Sequence, residues 1–176
     1  MRTDEVRHSG VLAWLLAAES GHGQGDLFMQ AFADLCGLDL PPAALDRYAV
    51  RTECAGMESI IDVMVFRRRE FLVYVENKIL APEGEDQVDR EFRDMRRRGA
   101  ALGVPVERQY AVFLTPGGRA PISGDPSRWR PVSYGGLAGA FADVLPSVSS
   151  DEVRVVLRHW IETVSRFGGG YDVPIV

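Results

Sequence analysis

Cysteine, histidine and long apolar runs are all scarce in this chain, and each scarcity removes a class of explanation. Two cysteines, Cys36 and Cys54, and three histidines, His8, His22 and His159, stand at no zinc-ligand spacing. Two thiols cannot staple a small fold, and both are expected to be reduced and buried in a cytoplasmic protein. No stretch approaches the roughly eighteen apolar residues of a membrane span. Residues Met1 to Glu5 lack signal-peptide architecture, and their acids argue against a transit peptide. Lys and Arg number 20 against 25 Asp and Glu, a formal charge of −5, which excludes a surface basic all over but permits a local basic patch. No nucleophile elbow, P-loop, dinucleotide fingerprint or kinase signature occurs. What is present is a chain of 176 residues, 46% hydrophobic, enough for one domain with a full core. That domain is expected over 1–167, with Gly168-Gly169-Gly170 opening a flexible tail over 168–176.

Apolar periodicity predicts the element order helix, helix, three strands, helix, two strands, helix, helix. Val11, Leu12, Leu15 and Leu16 mark a helix over 4–19. After the break Ser20-Gly21-His22-Gly23-Gln24-Gly25, Asp26 is placed to cap a second helix that Gly37 stops. Pro41-Pro42 marks a turn into a short helical piece. Strands are expected at 48–54, 59–66 and 70–79. Pro82 suits the first turn of a helix running to about Arg98 and ended by Gly99. Further strands are expected at 109–115 and 129–133, with a polar loop over 119–128 between them, then helices at 135–146 and 150–166. Strands mixed with helices, with apolar runs that need cover on both faces, indicate an α/β fold.

Two of those strands carry charges where apolar residues belong. Asp62 interrupts Ile60 to Phe66, and Glu76 and Lys78 interrupt Phe71 to Ile79. Such a charge costs several kcal/mol unless paired or metal-bound. Side chains alternate along a strand, so Glu76 and Lys78 share a face. Asp62 and Glu76 lie fourteen residues apart across the turn at Arg67-Arg68-Arg69. They oppose each other only if that turn has an odd count, three or five residues, or a bulge. Two opposed carboxylates with the backbone carbonyl of Asn77 and water suit Mg²⁺, or Mn²⁺ in its place. A lysine beside that cation can hold a water and offset charge on a phosphate. The same trio can instead be a buried ion pair of Lys78 with Asp62 or Glu76 that braces the sheet.

The pattern Asp62 … Glu76-Asn77-Lys78 resembles the PD-(D/E)XK nuclease superfamily, and other residues follow it in order. Glu76-Asn77-Lys78-Ile79 and the following Gln87-Val88 are similar to one of its subgroups, as are Thr52-Glu53 upstream. Leu15-Leu16 … His22-Gly23-Gln24-Gly25-Asp26-Leu27-Phe28 looks like that subgroup's leading helices. Phe113-Leu114-Thr115-Pro116 and Val132-Ser133-Tyr134 look like its closing strands. The likeness spans roughly 8–146. It implies a restriction-endonuclease-like mixed sheet flanked by helices, with two helices before it and two after. It also implies metal-dependent hydrolysis of phosphodiester bonds, foremost in DNA, leaving a 5′-phosphate and a 3′-hydroxyl. On this resemblance Asp62, Glu76 and the Asn77 carbonyl hold the metal, Lys78 positions the attacking water, Gln87 supports them, and Glu53 is a candidate third acid. Two positions depart from the subgroup. Ile60 replaces an arginine two residues before the first acid, and Glu91 stands where an aromatic follows the glutamine, with Phe92 one step later.

Around the trio, Val88, Phe92, Met95 and Gly99 share one helical side, Arg90, Arg93 and Arg97 the opposite one, and Gln87 the shoulder. Arg67, Arg68, Arg69, Arg90, Arg93 and Arg97 are candidate phosphate contacts. The interleaved Glu83, Glu85, Asp86, Glu91 and Asp94 equally fit a solvated charged face, as Glu58 fits a solvated turn. His22 can order its loop or lie near the mouth of the site, whereas His8 and His159 have no role assigned. Trp14, Trp129 and Trp160 are read as core. Beside a nuclease acting on nucleic acid, two alternatives remain: an inactive module binding nucleic acid or protein, and a subunit that needs a recruiting partner or a second copy.

Overall fold

The computed structural model describes residues 2–79 and 82–167. Helices α1 (Arg2–Leu16) and α2 (Leu27–Cys36) lead, followed by a 3₁₀ turn at Pro42–Asp46. Strands β1 (Ala49–Ala55), β2 (Ile60–Arg67) and β3 (Phe71–Asn77) form an antiparallel meander. Helix α3 (Gln87–Leu102) then crosses to β4 (Gln109–Thr115), which is parallel to β3, and β5 (Arg130–Ser133) is parallel to β4. Helices α4 (Tyr134–Val144) and α5 (Asp151–Ser165) close the chain. The five strands lie in sequence order in one mixed sheet. This is the expected α/β architecture, and the expected tail at 168–176 lies outside the described residues. Among the described residues no helix is long and apolar enough to cross a membrane.

Both sheet faces are covered, as the apolar strands require. All seven residues of β3 are buried. Phe71, Val73 and Val75 pack under α1, α2, α4 and α5 with Phe28, Phe32, Phe141 and Leu157. Leu72 and Tyr74 face Val88 and Met95 of α3. Trp129 and Trp160 are buried and Trp14 packs partly buried on the larger core, as expected. Cys36 and Cys54 are free thiols on opposite sides of the sheet, the first buried and the second partly so. Ser133 and Ser150 cap α4 and α5 by accepting from the N–H groups of Gly136 and Val153.

The turn between β2 and β3 has the odd count the charged trio demands. Arg67 pairs with Phe71, leaving Arg68, Arg69 and Glu70 as a three-residue loop with Arg69 left-handed at φ 64°. The same register pairs Val63 with Val75 and brings Asp62 toward Glu76.

Several boundaries move, each for a tertiary reason. Helix α1 ends at Leu16 rather than at 19. Asp26 does not cap α2; its carboxylate accepts from the Gln30 side chain instead. Helix α3 begins at Gln87, not Pro82, and runs through Gly99 to a left-handed cap at Gly103. Gly99 is a packing glycine: a Cβ there would sit 2.3 Å from the Gln109 side chain.

Asp94, expected on a solvated face, is buried, and so is the side chain of Glu83. Asp94 is 3% exposed and accepts from the N–H groups of Met57 (3.1 Å) and Glu58 (2.9 Å) and from the Ser59 hydroxyl (2.7 Å), so α3 grips the β1–β2 turn. Glu83 likewise grips the β4–β5 connection through the N–H groups of Ile122 and Ser123. Burial alone would raise the pKa of Asp94, but the Glu58 N–H, the Ser59 hydroxyl, the Met57 N–H and Arg97 hold it below the usual carboxylate range. A carboxyl depressed on folding stabilises the protein fully above its unfolded pKa of about 4, and that stability is lost as pH falls through the folded value. Asp94→Ala should cost about 2–3 kcal/mol at neutral pH. The deficit should shrink as acid protonates wild type, which urea melts at pH 7 and pH 3 will show.

Candidate active site

The site lies where β2 begins and β3 ends, the one place on the sheet where the ladder gives way. Glu53, in the middle of β1, has φ 50°, a left-handed conformation that a non-glycine residue adopts only under local constraint. The β1–β2 pairing skips from Thr52↔Val63 to Cys54↔Ile61, leaving Glu53 and Asp62 out of the ladder. Around that break the alternation fails: Ile61 packs with α3, and Val63 with the opposite core. Asp62 is thereby released from pairing, and its Oδ2 accepts from the Asn77 N–H at 2.8 Å.

Glu76 is 2% exposed, and two groups converge on its Oε1. Lys78 Nζ lies 3.0 Å away. The Gln87 amide donates to Glu76 Oε1 at 2.6 Å and to Glu91 Oε1 at 2.7 Å, while its own oxygen accepts from the Gly84 N–H. Glu91, only 1% exposed, is thus joined to Glu76 through a single nitrogen. Among the described residues the second oxygens of both acids, Glu76 Oε2 and Glu91 Oε2, are buried without a hydrogen-bond partner. From α1, buried Glu5 accepts from the Ile79 N–H at 2.9 Å.

One lysine among this many carboxylates leaves the site short of positive charge, and the titration behaviour follows. Burial pushes Asp62 up to about 6, against the Asn77 N–H and Lys78, with Glu5 and Glu53 adding to the rise. Glu91 is pushed up to about 7, again by burial first, although Gln87 and Lys78 oppose it. Glu76 rises well above the ordinary range through burial, then Glu91 and Asp62. Burial acts to lower Lys78, but Glu76, Glu5 and Asp62 outweigh it and keep the ammonium charged.

The Asn77 side chain serves architecture. Its amide donates to the Glu5 carbonyl and to Ser9 Oγ on α1, and its oxygen accepts from the Tyr134 hydroxyl on α4 at 2.8 Å. The end of β3 is thereby tied to both helical neighbours.

The remaining sequence candidates are dispersed. Glu53 is exposed beside Asp62. Arg67, Arg68 and Arg69 sit at the far end of the hairpin, about 17 Å from Asp62 by strand rise, and Arg67 donates to the Ala43 carbonyl. Arg93 and Arg97 both bind Glu58, which is therefore their anchor and not a free turn residue. Arg90 donates to the Glu85 carbonyl. His22 is buried, with Nε2 on the Leu15 carbonyl and Nδ1 accepting from the Gln24 N–H, so both ring nitrogens serve loop order. Two site acids escaped the sequence reading. Glu91 had a signal, its place at the subgroup's aromatic position, whereas Glu5 had none.

The donor set is hard oxygen, which suits Mg²⁺ or Mn²⁺. Among the described residues no three His, Cys, Asp or Glu side chains are grouped closely enough to hold a metal alone. Backbone and water oxygens must complete any shell. Glu76 and Glu91 fit such a cation because, among the described residues, one buried oxygen of each has no hydrogen-bond partner.

Residues 1–152 match the family profile of the PD-(D/E)XK nuclease superfamily. No curated protein and no solved structure gives a significant match to the chain.

Proposed function

The chain belongs to the PD-(D/E)XK nuclease superfamily, and we propose that it is a divalent-metal-dependent nuclease that hydrolyses phosphodiester bonds in DNA. The observation that carries this reading is the pair of buried, unpartnered oxygens on Glu76 and Glu91, beside a charged lysine and a released aspartate. Asp62, Glu76 and the Asn77 carbonyl would hold Mg²⁺, with Mn²⁺ as substitute and Glu53 near enough to Asp62 to add a water-mediated contact. Such a cation neutralises charge on a phosphate and acidifies water.

The chain's own residues do the rest. Gln87 pins Glu76 Oε1, which leaves Oε2 for the cation. Glu91 braces Gln87 from the other side and brings a second uncommitted oxygen. Lys78, held charged by the surrounding acids, orients an attacking water and offsets charge developing on the phosphate. Glu91→Gln keeps the shape and removes the charge. It is expected to weaken Mn²⁺ binding about 10-fold, measured by calorimetry.

The test titrates Mg²⁺ and Mn²⁺ into wild type and Glu76→Ala, with plasmid and single-stranded DNA cleavage assayed in parallel. Binding that disappears in the variant, together with metal-dependent cleavage, is the expected result. The Lys78–Glu76 contact favours a second reading, a structural ion pair in an inactive binding module. No metal binding in wild type would select that one.

A further inference from the structure

Away from the acidic site, a shallow cleft of about 430 Å³ opens between the outer shoulder of α3 and the starts of β4 and β5. Its lining includes Arg96, Arg128 and Arg130 with Phe92 and Tyr110, against one acid, Glu107, on a chain of net charge −5. The guanidinium groups of Arg96 and Arg128 lie 5.8 and 5.1 Å from the Phe92 ring centre, and that of Arg130 lies 5.0 Å from the Tyr110 ring centre. Stacking on rings holds guanidinium planes in place while leaving N–H edges for an incoming anion. Arg130 also donates to the Cys36 and Gly37 carbonyls at the end of α2, which anchors it from behind.

Among the described residues neither Arg96 nor Arg130 has a carboxylate within ion-pair distance, while Arg128 is shared between Asp89 (3.4 Å) and Asp125 (3.0 Å). Arg93 and Arg97, on the other shoulder of α3, are by contrast already neutralised by Glu58. Of the helix α3 arginines with no ion-pair partner among the described residues, Arg96 lines the cleft, while Arg90 and Arg98 point elsewhere and donate to the Glu85 and Ala55 carbonyls.

We propose that the Arg96–Arg128–Arg130 cleft binds the phosphodiester backbone of the substrate strand at a distance from the bond to be cut. The substrate class rests on the nuclease reading above. Helix α3 supplies the link, since Gln87 at its start belongs to the acidic site. Phe92 and Arg96 follow about 8 and 14 Å further along the axis. That span covers two to four phosphates at roughly 3.4 Å per charge on one strand of a duplex. A contact of this kind gives affinity without sequence information.

The experiment measures fluorescence anisotropy of labelled single-stranded and duplex DNA in EDTA, so that no cleavage intervenes. It compares wild type, Arg96→Gln/Arg128→Gln and Arg93→Gln/Arg97→Gln, each checked for wild-type-like circular dichroism. The cleft pair is expected to bind at least 10-fold more weakly than wild type, with a salt slope shallower by about 1.5–2. The Glu58-paired variant is expected to stay within twofold. Equal affinity of the cleft variant and wild type overturns the proposal, as does an equal loss in both variants. A metal-dependent cleavage assay on a four-nucleotide substrate separates the two readings. Cleavage with unchanged DNA affinity in the cleft variant rejects the cleft alone. Weakened affinity without cleavage by any protein keeps the cleft and rejects the nuclease.

Discussion

Lys78→Ala is expected to slow metal-dependent DNA cleavage by about 10²–10³-fold while the protein still binds Mn²⁺. Removing one charged group that acts on the developing phosphate charge has an effect of that order. Lys78 is 3.0 Å from Glu76, a proposed ligand, but has no oxygen to offer a cation itself. Asp62→Ala and Glu76→Ala should instead lose cleavage and Mn²⁺ binding together, because each removes a proposed ligand. This split distinguishes chemistry from scaffolding. Burial, Glu91 and Asp62 push the Glu76 pKa up, so a proton can replace the lost ammonium under either reading, and a purely structural ion pair predicts instead that no metal-dependent cleavage exists for the lysine to affect. Cleavage at the wild-type rate by Lys78→Ala would remove the lysine from the mechanism.

Asn77→Ala should produce the largest stability loss near the site. The side chain is 1% exposed and satisfies three groups on two other elements. Its removal leaves the Tyr134 hydroxyl buried without its acceptor and takes away the amide hydrogen bonds to the Ser9 hydroxyl and, beside its helical bond, the Glu5 carbonyl. At about 1–3 kcal/mol for a stranded buried group, partly relieved by relaxation, the loss should reach about 3–4 kcal/mol. For a chain of this size that corresponds to a melting point roughly 10 °C lower. Hydrogen exchange should show the loosening in α1 and at the start of α4. The Asn77 N–H that holds Asp62 belongs to the backbone and survives the substitution. Metal binding at low temperature should therefore persist in the folded protein. A melting point within 2 °C of wild type, a difference of at most about 1 kcal/mol, would show that the asparagine does not hold the helices.

The elements legible in the sequence were those whose signal is local. Gln109–Thr115 reads as a buried strand and forms one with those bounds. Gly37 reads as a helix stop and is left-handed at φ 61°. The odd turn count between Asp62 and Glu76 follows from strand parity alone, and the chain closes that hairpin with three residues. The errors have a different origin. Gly99 looks like a terminator in isolation and becomes a packing position only because Gln109 comes to lie against it. Glu91 and Asp94 look solvated on a helix rich in charge, yet both are buried, one against Glu76 and Gln87, the other under the β1–β2 turn. Arg93 and Arg97 look available to phosphates until Glu58 arrives from the distant β1–β2 turn.

Sequence by itself therefore determined the order of the elements, an α/β fold with both sheet faces covered, and the placing of Asp62, Glu76 and Lys78 on two neighbouring strands. Those follow from periods of 2 and 3.6 residues and from turn chemistry, which act over a few positions. Tertiary structure alone decided which charges are buried, which arginines are already paired, and that Glu91 joins Glu76. A charge can leave water only where partners from other segments meet it, and that meeting is a property of the whole fold.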